Sequence, residues 1–406
     1  MELNVSKNCN GCTACVNICP QRCIEMKTDE EGFLYPIVEK DKCIKCGLCK
    51  KVCSIDVKAK RSEILSTYAA VNFNLDTRMR SSSGGVFALL AEKIISENGV
   101  VFGAVLAEDC KSVKHSIAHN RRELEKMFGS KYVQSDLGNV YSQVKEQLSE
   151  GKKVLFSGTP CQINGLHMFL RCEYENLLLV DIICHGVPSP ALWSKYISYI
   201  EKRYHSVVKN VNFRSKKYGW QDFGIKRIDE NNRELFISKN EDPYMQMFLK
   251  NYCLRQSCYH CSAKEQRYSD ITIGDFWGIE NVFPEMNDGK GASAVIVRTE
   301  KGRNIFEQVA SKMQIKETEY QTIVQFNSAE IKSVYKPVER KIFFKDMNTK
   351  TFSALQRKYL KKTIKREIRD ILIKMRIWSF IRPRSHRGGK KDNSRYCMVF
   401  KLNSLK

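Results

Sequence analysis

The chain has 406 residues, 42% of them hydrophobic and 28% charged, and a net charge of +23. That length allows two or three domains with a sizeable core, and no stretch approaches the ~20 apolar residues needed to span a bilayer. Met1-Glu2-Leu3-Asn4-Val5 lacks the charged and apolar regions of a secretory leader, so the 17 cysteines are expected in a reducing cytosol, as metal or redox groups rather than disulfides.

Nine of those cysteines fall in the first 53 residues. Cys9, Cys12, Cys15 and Cys19 follow C-x2-C-x2-C-x3-C ahead of Pro20. Cys43, Cys46, Cys49 and Cys53 repeat the spacing 34 residues later. Three thiolates two residues apart reach three irons on one face of a cubane, while the fourth points to the neighbouring cluster. The expected sets are therefore Cys9, Cys12, Cys15 and Cys53 for one [4Fe–4S] cluster, and Cys43, Cys46, Cys49 and Cys19 for a second. Ile24–Lys27 and Phe33–Val38 read as strands around a turn at Asp29-Glu30-Glu31-Gly32, a hairpin that folds the two loops together. A structural zinc site uses two separated C-x2-C pairs and matches less well. Ser54 replaces the proline that often follows the second motif, and Cys23 is left over as a small buried residue. Residues 1–60 thus read as an α+β ferredoxin-like two-cluster domain.

After a polar linker at Lys58–Glu63 the pattern changes. Val86–Ile95 has helical spacing stopped by Gly99, and Val100–Leu106 reads as a buried strand. Val140–Leu148 is helical up to Gly151, Val154–Phe156 is a short strand, Thr159-Pro160 opens another helix, and Leu177–Cys184 is a long apolar strand. This alternation predicts an α/β core over residues 61–330 with a largely parallel sheet. Ser81-Ser82-Ser83-Gly84-Gly85 and Ser157-Gly158-Thr159-Pro160 stand at helix starts, where free backbone N–H groups and the helix dipole favour an anion. Neither is G-x-G-x-x-G or a Walker A sequence.

Cys258 and Cys261 form a C-x2-C pair. Cys161 lies in a T-P-C-Q turn, and Cys184 ends a strand at I-C-H-G. Loops at strand C-terminal ends are where α/β proteins build sites, and these four thiolates suit a third [4Fe–4S] cluster. Cys253 is the competing ligand, giving C-x4-C-x2-C with a plant-type spacing; buried structural cysteines beside a zinc-ribbon fragment are the bland alternative. Cys110 and Cys172 read as structural. His185 reads either as a proton donor or as a loop cap.

"SSSGGVFALLAEKII", "GVVFGAVL", "GSKYVQS", "VLFSGTPCQINGL", "DIICHGVPSP" and "SDITIGDFWGI" occur in this order. Together they closely resemble the family of coenzyme F-420 hydrogenase/dehydrogenase beta subunits, from about residue 9 to 315. The resemblance implies an iron–sulfur flavoprotein that passes electrons between clusters, FAD and a hydride-accepting substrate, and it also suggests the third cluster. It implies FAD against Ser82, Ser83, Gly84 and Gly85, with Gly129, Ser130, Lys131, Tyr132, Gln134 and Ser135 on the facing loop and Thr159 near the same pocket. Lys131 would sit where a positive charge stabilises a reduced flavin. Many stand-alone bacterial members resemble this chain and sit among polysaccharide-biosynthesis enzymes.

From Glu330 to Lys406 there are 23 Lys and Arg against 6 Asp and Glu, a net of +17 that leaves +6 for everything before it. Phe352–Ile381 carries one apolar stripe among basic residues, reading as a single amphipathic helix about 45 Å long. Such a helix suits an anionic membrane surface on the cytoplasmic face, or packs on the body with a solvated basic side. Residues 331–406 are thus expected as a C-terminal basic helix and tail.

The expected function is a flavin-dependent iron–sulfur oxidoreductase that takes electrons from a donor protein or reduced cofactor and delivers them to a small organic substrate. An electron-transfer subunit without its own substrate is the first alternative. A nucleic-acid-binding iron–sulfur protein is the second, with no base-reading motif to support it.

Overall fold

The computed structural model describes residues 7–55 and 63–360. Strands β1 (Ile24–Thr28) and β2 (Leu34–Val38) pair antiparallel from Ile24↔Val38 to Thr28↔Leu34, forming the expected hairpin. Asp29 shapes its turn: Oδ1 accepts from the backbone N–H of Glu31 (3.0 Å) and Phe33 (2.8 Å). Gly32 completes it at φ +83°, where a Cβ would lie 2.3 Å from Ala191 Cβ. Short helices at Ala14–Asn17 and Leu48–Lys51 lie within the two cysteine segments.

The body adds β3 (Ser66–Asn72), β4 (Val100–Leu106), β5 (Val113–Ala118), β6 (Val154–Gly158), β7 (Leu177–Ile182), β8 (Val208–Ser215), β9 (Gly224–Asp229), β10 (Glu234–Ser238), β11 (Ile271–Asp275), β12 (Ser293–Val297) and β13 (Met313–Glu317). Eight of these form one sheet in the order β13-β3-β12-β11-β7-β6-β4-β5, and β10-β9-β8 form a second, antiparallel one. In the large sheet β4, β6, β7 and β11 pair in parallel, β5 pairs antiparallel with β4, and β12, β3 and β13 follow β11 through successive antiparallel pairings, so that β3 runs with the parallel strands and β12 and β13 against them. The expected largely parallel sheet is therefore mixed. The short turn from β4 to β5 leaves no room for the dozen or more residues of a crossover, so that pair closes as a hairpin.

The central strands are covered on both faces, which explains their continuous apolar runs. Val101 and Val105 of β4 pack with Leu89, Leu90 and Ile94 of the Val86–Ser96 helix. Val100 and Phe102, pointing the other way, pack with the Val140–Ser149 and Pro160–Leu170 helices. Strand β7 stops at Ile182, earlier than expected, and leaves Cys184 in the loop beyond it.

The body runs past the expected boundary at 330. Helices Arg340–Thr349 and Phe352–Tyr359 join the core around Trp193 and Tyr196, and the Phe352 ring lies 4.9 Å from Tyr196. The long helix expected over Phe352–Ile381 ends at Tyr359, with Leu360 outside helical geometry. Its first eight residues bury Phe352, Leu355 and Tyr359, so this part of the stripe faces protein. Residues 361–406, with the rest of that expectation, lie outside the described residues. No described helix is long and apolar enough to cross a membrane.

Candidate iron–sulfur and redox site

The hairpin folds the two cysteine loops against each other. Burial raises the Cys12 thiol, and the adjoining Cys15, Cys9 and Cys53 raise it further. Cys15 is pushed up to about 12, by burial first and then by Cys9, Cys53 and Cys49, so the two cysteine groups adjoin each other. Cys49 is raised by burial, with Cys46 and Cys43 adding to it. Cys19 adjoins this second group through Cys23, whose Sγ is 3.4 Å from Cys19 Sγ and which interacts in turn with Cys43. Cys23 is buried as expected, at 2% exposure, but it touches a candidate ligand rather than filling an inert corner.

Four thiolates gathered in this way repel one another, and cations remove that penalty. This donor chemistry fits an iron cluster. Among the described residues no three His, Cys, Asp or Glu side chains converge as they would on a single ion. In a cubane each thiolate takes its own iron, which sets the ligands further apart.

The third set comes from separate parts of the chain. Cys161, Cys184, Cys258 and Cys261 line one cavity of about 180 Å³, together with His185 and Lys264. Burial raises Cys161 and Cys258; Cys261, Cys184 and Cys12 raise Cys161 further, and Cys184, Cys261 and Cys161 raise Cys258 further. Backbone bonds fix the loops: Val187 N–H donates to Cys258 Sγ (3.4 Å), and Cys261 N–H donates to Ser333 Oγ (2.9 Å). Lys264 Nζ donates to the carbonyls of Cys184 and Ala329. Cys253 is fully buried in the apolar core around Trp193 and does not line the cavity. His185 faces Asn251 Oδ1 through Nε2 at 2.7 Å, and burial lowers its pKa.

The Pro160–Leu170 helix joins two of these regions. Cys161 lies in its first turn, and Gly165 faces Cys12, where a Cβ would lie 2.7 Å from Cys12 Cβ and 2.9 Å from its Sγ. Arg255, which the sequence reading missed, ties the same regions together. It is fully buried, and its guanidinium donates to Cys9 O (2.8 Å), Leu34 O (2.9 Å) and Gln134 Oε1 (3.0 Å) while lying 4.2 Å from the Tyr35 ring centre.

The residues expected at a flavin divide. Ser82 and Ser130 meet, Oγ to Oγ at 2.7 Å, so the two loops do face each other. Lys131 is half-buried and bonds Phe128 O (3.0 Å); burial lowers its amine to about 7. Nearby His115, with Nε2 3.0 Å from Ser157 O and Nδ1 unpartnered, is lowered by burial to about 4.

Other residues of that set serve the protein itself. At Gly84 a Cβ would lie 2.2 Å from Ala70 O; its N–H donates to Ser293 Oγ (2.9 Å) and its carbonyl accepts from Asn72 N–H (2.8 Å). The missing Cβ lets this backbone approach the sheet. Gly85, at φ +87°, starts the helix beside Asn72. Ser83 Oγ bonds Ala292 O (2.6 Å). Gly129 adopts φ +77° beside Arg80. Tyr132 turns to Phe213 and Phe248, and its carbonyl accepts from Tyr244. Gln134 Nε2 donates to Asn10 O (3.1 Å) in the first cysteine loop, Ser135 Oγ accepts from Gln162 (2.9 Å), and Thr159 Oγ1 lies 3.2 Å from Cys161 Sγ. The last three therefore belong to the cysteine side of the body.

A second polar cluster lies against the serine loop. Arg214 pairs with Asp275 and stacks 4.2 Å over Phe223, and Trp220 Nε1 donates to Asp275 (3.0 Å). Lys216 Nζ donates to the carbonyls of Arg78, Ser83 and Lys290, and is lowered to about 7 by burial and then by Arg214 and Arg78. Asp275 lies in the "SDITIGDFWGI" segment, the one signal that pointed here.

Residues 8–57 match the 4Fe-4S dicluster domain, and residues 151–322 match the C terminus of the coenzyme F420 hydrogenase/dehydrogenase beta subunit. A coenzyme F420-dependent sulfite reductase from Methanocaldococcus jannaschii is 24% identical over 348 residues. The match takes in 84% of this chain, but the chain spans only 52% of that relative. A polypeptide of the F(420)H(2) dehydrogenase from Methanosarcina mazei, named as one of its subunits, is 19% identical, over 76% of this chain and 84% of its own length. A chain of the F420-reducing [NiFe] hydrogenase complex from Methanosarcina barkeri aligns with a TM-score of 0.44 at 15% identity, over 73% of this chain and 94% of its own. The chain thus carries a 4Fe-4S dicluster domain followed by a region that matches the C terminus of the coenzyme F420 hydrogenase/dehydrogenase beta subunit.

Proposed function

We propose that the chain is an iron–sulfur oxidoreductase that carries single electrons from a donor through three cysteine-held sites into its α/β body, where they serve the two-electron reduction of an organic substrate. One observation carries the reading. Cysteines from three separated segments line a single cavity, and one of them shares a helix with the residue packed against Cys12. Cys9, Cys12, Cys15 and Cys53 would hold one [4Fe–4S] cluster, Cys43, Cys46, Cys49 and Cys19 the second, and Cys161, Cys184, Cys258 and Cys261 the third. Bound FAD would supply the conversion between one-electron and two-electron chemistry. The contact of Ser82 with Ser130, the buried amine of Lys131 and the unpartnered Nδ1 of His115 support a flavin between those loops. The substrate and a place in polysaccharide biosynthesis draw no support from this geometry.

A second reading keeps the electron path and removes the substrate. One relative is named as a subunit of a dehydrogenase, and this chain would then pass its electrons to a partner. Anaerobically reconstituted protein decides between the two: about twelve irons and released FAD are expected, with electrons from an added chemical reductant passed by the isolated chain to a dye that accepts them from flavin. Iron without flavin leaves the carrier reading standing, and protein that binds no iron ends both.

A further inference from the structure

The twelve candidate ligands differ in how they meet solvent. Cys46 is the exposed one; the others are half-buried. Beside it Ile44 stands 60% exposed, next to Cys43, one of several apolar side chains on the described surface. The stretch from residue 37 to 51 holds five lysines, at 40, 42, 45, 50 and 51, against Glu39 and Asp41. Lys42 is neutralised by Glu39 at 2.6 Å. Lys45, Lys50 and Lys51 make no ion pair among the described residues, and Lys45 and Lys51 are exposed. The loop thus shows an apolar side chain and unpaired cations around the most exposed of the candidate ligands. Cys12 and Cys15, by contrast, lie deeper, toward the Pro160–Leu170 helix and the third set of cysteines.

We propose that the Cys43–Lys51 loop is the docking face for a small acidic one-electron carrier protein, and that electrons enter the chain there, at the Cys43, Cys46, Cys49 and Cys19 group. The proposal rests on the iron–sulfur reading above and adds to it the point of input and the charge of the partner. An acidic protein surface uses both Ile44 and the lysines, with charge steering the encounter and the apolar contact holding it. Each encounter oxidises the carrier by one electron and leaves that electron on the exposed group. Two encounters deliver what a two-electron reduction consumes.

The test uses the full iron-loaded chain and a plant-type [2Fe–2S] ferredoxin, a strongly acidic protein, as the probe. Two measurements are made across ionic strength: calorimetric binding of the oxidised ferredoxin, and stopped-flow transfer from the reduced form. The variants are Lys45→Glu/Lys50→Glu/Lys51→Glu, its milder Gln counterpart, and Ile44→Asp. At low salt the Glu variant is expected to bind and react at least tenfold more weakly, with the Gln variant between it and wild type. These differences should shrink as salt rises, because exposed charges are screened within about 10 Å at 0.1 M. Ile44→Asp should lose binding at high salt as well. Iron content and reducibility by titanium(III) citrate should match wild type throughout. Full iron and normal chemical reduction with ferredoxin binding unchanged in the Glu and Gln variants would overturn the docking face while leaving the proposed function intact. Absence of iron in wild type would overturn the function itself.

Discussion

Replacing Arg255 tests whether the ferredoxin-like segment is held to the body by one buried side chain. Arg255→Met keeps the length and apolar stem but removes three charge-assisted bonds, to Cys9 O, Leu34 O and Gln134 Oε1. Such bonds contribute roughly 1.5–3 kcal/mol each, and buried acceptors left without a donor add to the loss. Water entering the cavity that Arg255 lines would recover part of this, so about 3 kcal/mol is expected for local opening, roughly a hundredfold in the opening equilibrium. Other attachments survive. Arg340 grips Glu31 at 2.5–2.8 Å, and Ser189 Oγ donates to Glu31 O at 2.6 Å, so the hairpin turn stays docked. Native-state hydrogen exchange should therefore speed up about a hundredfold for amides around Cys9–Cys15 and Leu34, and little in β6 or β7. Arg255→Lys should fall between, since one ammonium cannot span three acceptors. A change below about threefold at those amides, or an equal acceleration across the whole chain, would refute the clamp.

Cys258→Ser/Cys261→Ser should lose about four of about twelve irons while the eight of the N-terminal segment remain; unchanged iron would exclude the third site. Gly84→Ala should lower the melting temperature of flavin-free protein by an amount equivalent to about 3 kcal/mol, because its Cβ would lie 2.2 Å from Ala70 O; an unchanged transition would show that packing does not require the glycine. His115 gives a pH signature. Its folded pKa, near 4, is below the 6.5 of the unfolded chain, so the unfolded state binds the extra proton between those values. Its stability contribution is full above pH 6.5 and is lost as pH falls toward 4, by up to about 3 kcal/mol. Wild type should therefore lose melting temperature relative to His115→Phe across that window, and parallel pH profiles would contradict the buried neutral histidine.

What the sequence made legible was whatever repeats or alternates. The duplicated cysteine spacing pointed to the grouping of Cys53 with Cys9, Cys12 and Cys15, because that motif implies its own crossing. Strand β4 and the Val86–Ser96 helix were visible from apolar period alone. Strand direction was not: β5 and β12 read as well in either sense, and only the connections decide between a hairpin and a crossover. Isolated residues were equally silent. Arg255 stands among cysteines and polar residues with no periodic partner, and its acceptors at Cys9, Leu34 and Gln134 are up to 246 residues away. Gln134 and Ser135 were grouped with the flavin loop because they follow Gly129–Tyr132 in the chain. By Gln134 the chain has already turned to meet Asn10, a change of neighbour that sequence proximity conceals.

Gly165 shows how the body and the cysteine segment depend on each other. A glycine costs roughly 1 kcal/mol relative to alanine inside a helix, and this one sits in the middle of Pro160–Leu170. The space its missing Cβ would occupy is bounded by Cys12 Cβ, Cys12 Sγ and the Tyr141 hydroxyl, all within 2.9 Å. Tyr141 in turn donates to the carbonyl of Gln162, one helical turn from Gly165 (2.7 Å). Any larger residue would push the first cysteine loop away from the helix that carries Cys161. The helix therefore gives up intrinsic stability at the one position where doing so brings the N-terminal thiols close to the internal set. Closeness matters more for electron transfer than for a structural metal, which needs no neighbour. Under the proposed function, the sacrifice at Gly165 fits two groups that work as consecutive stations better than two independent staples.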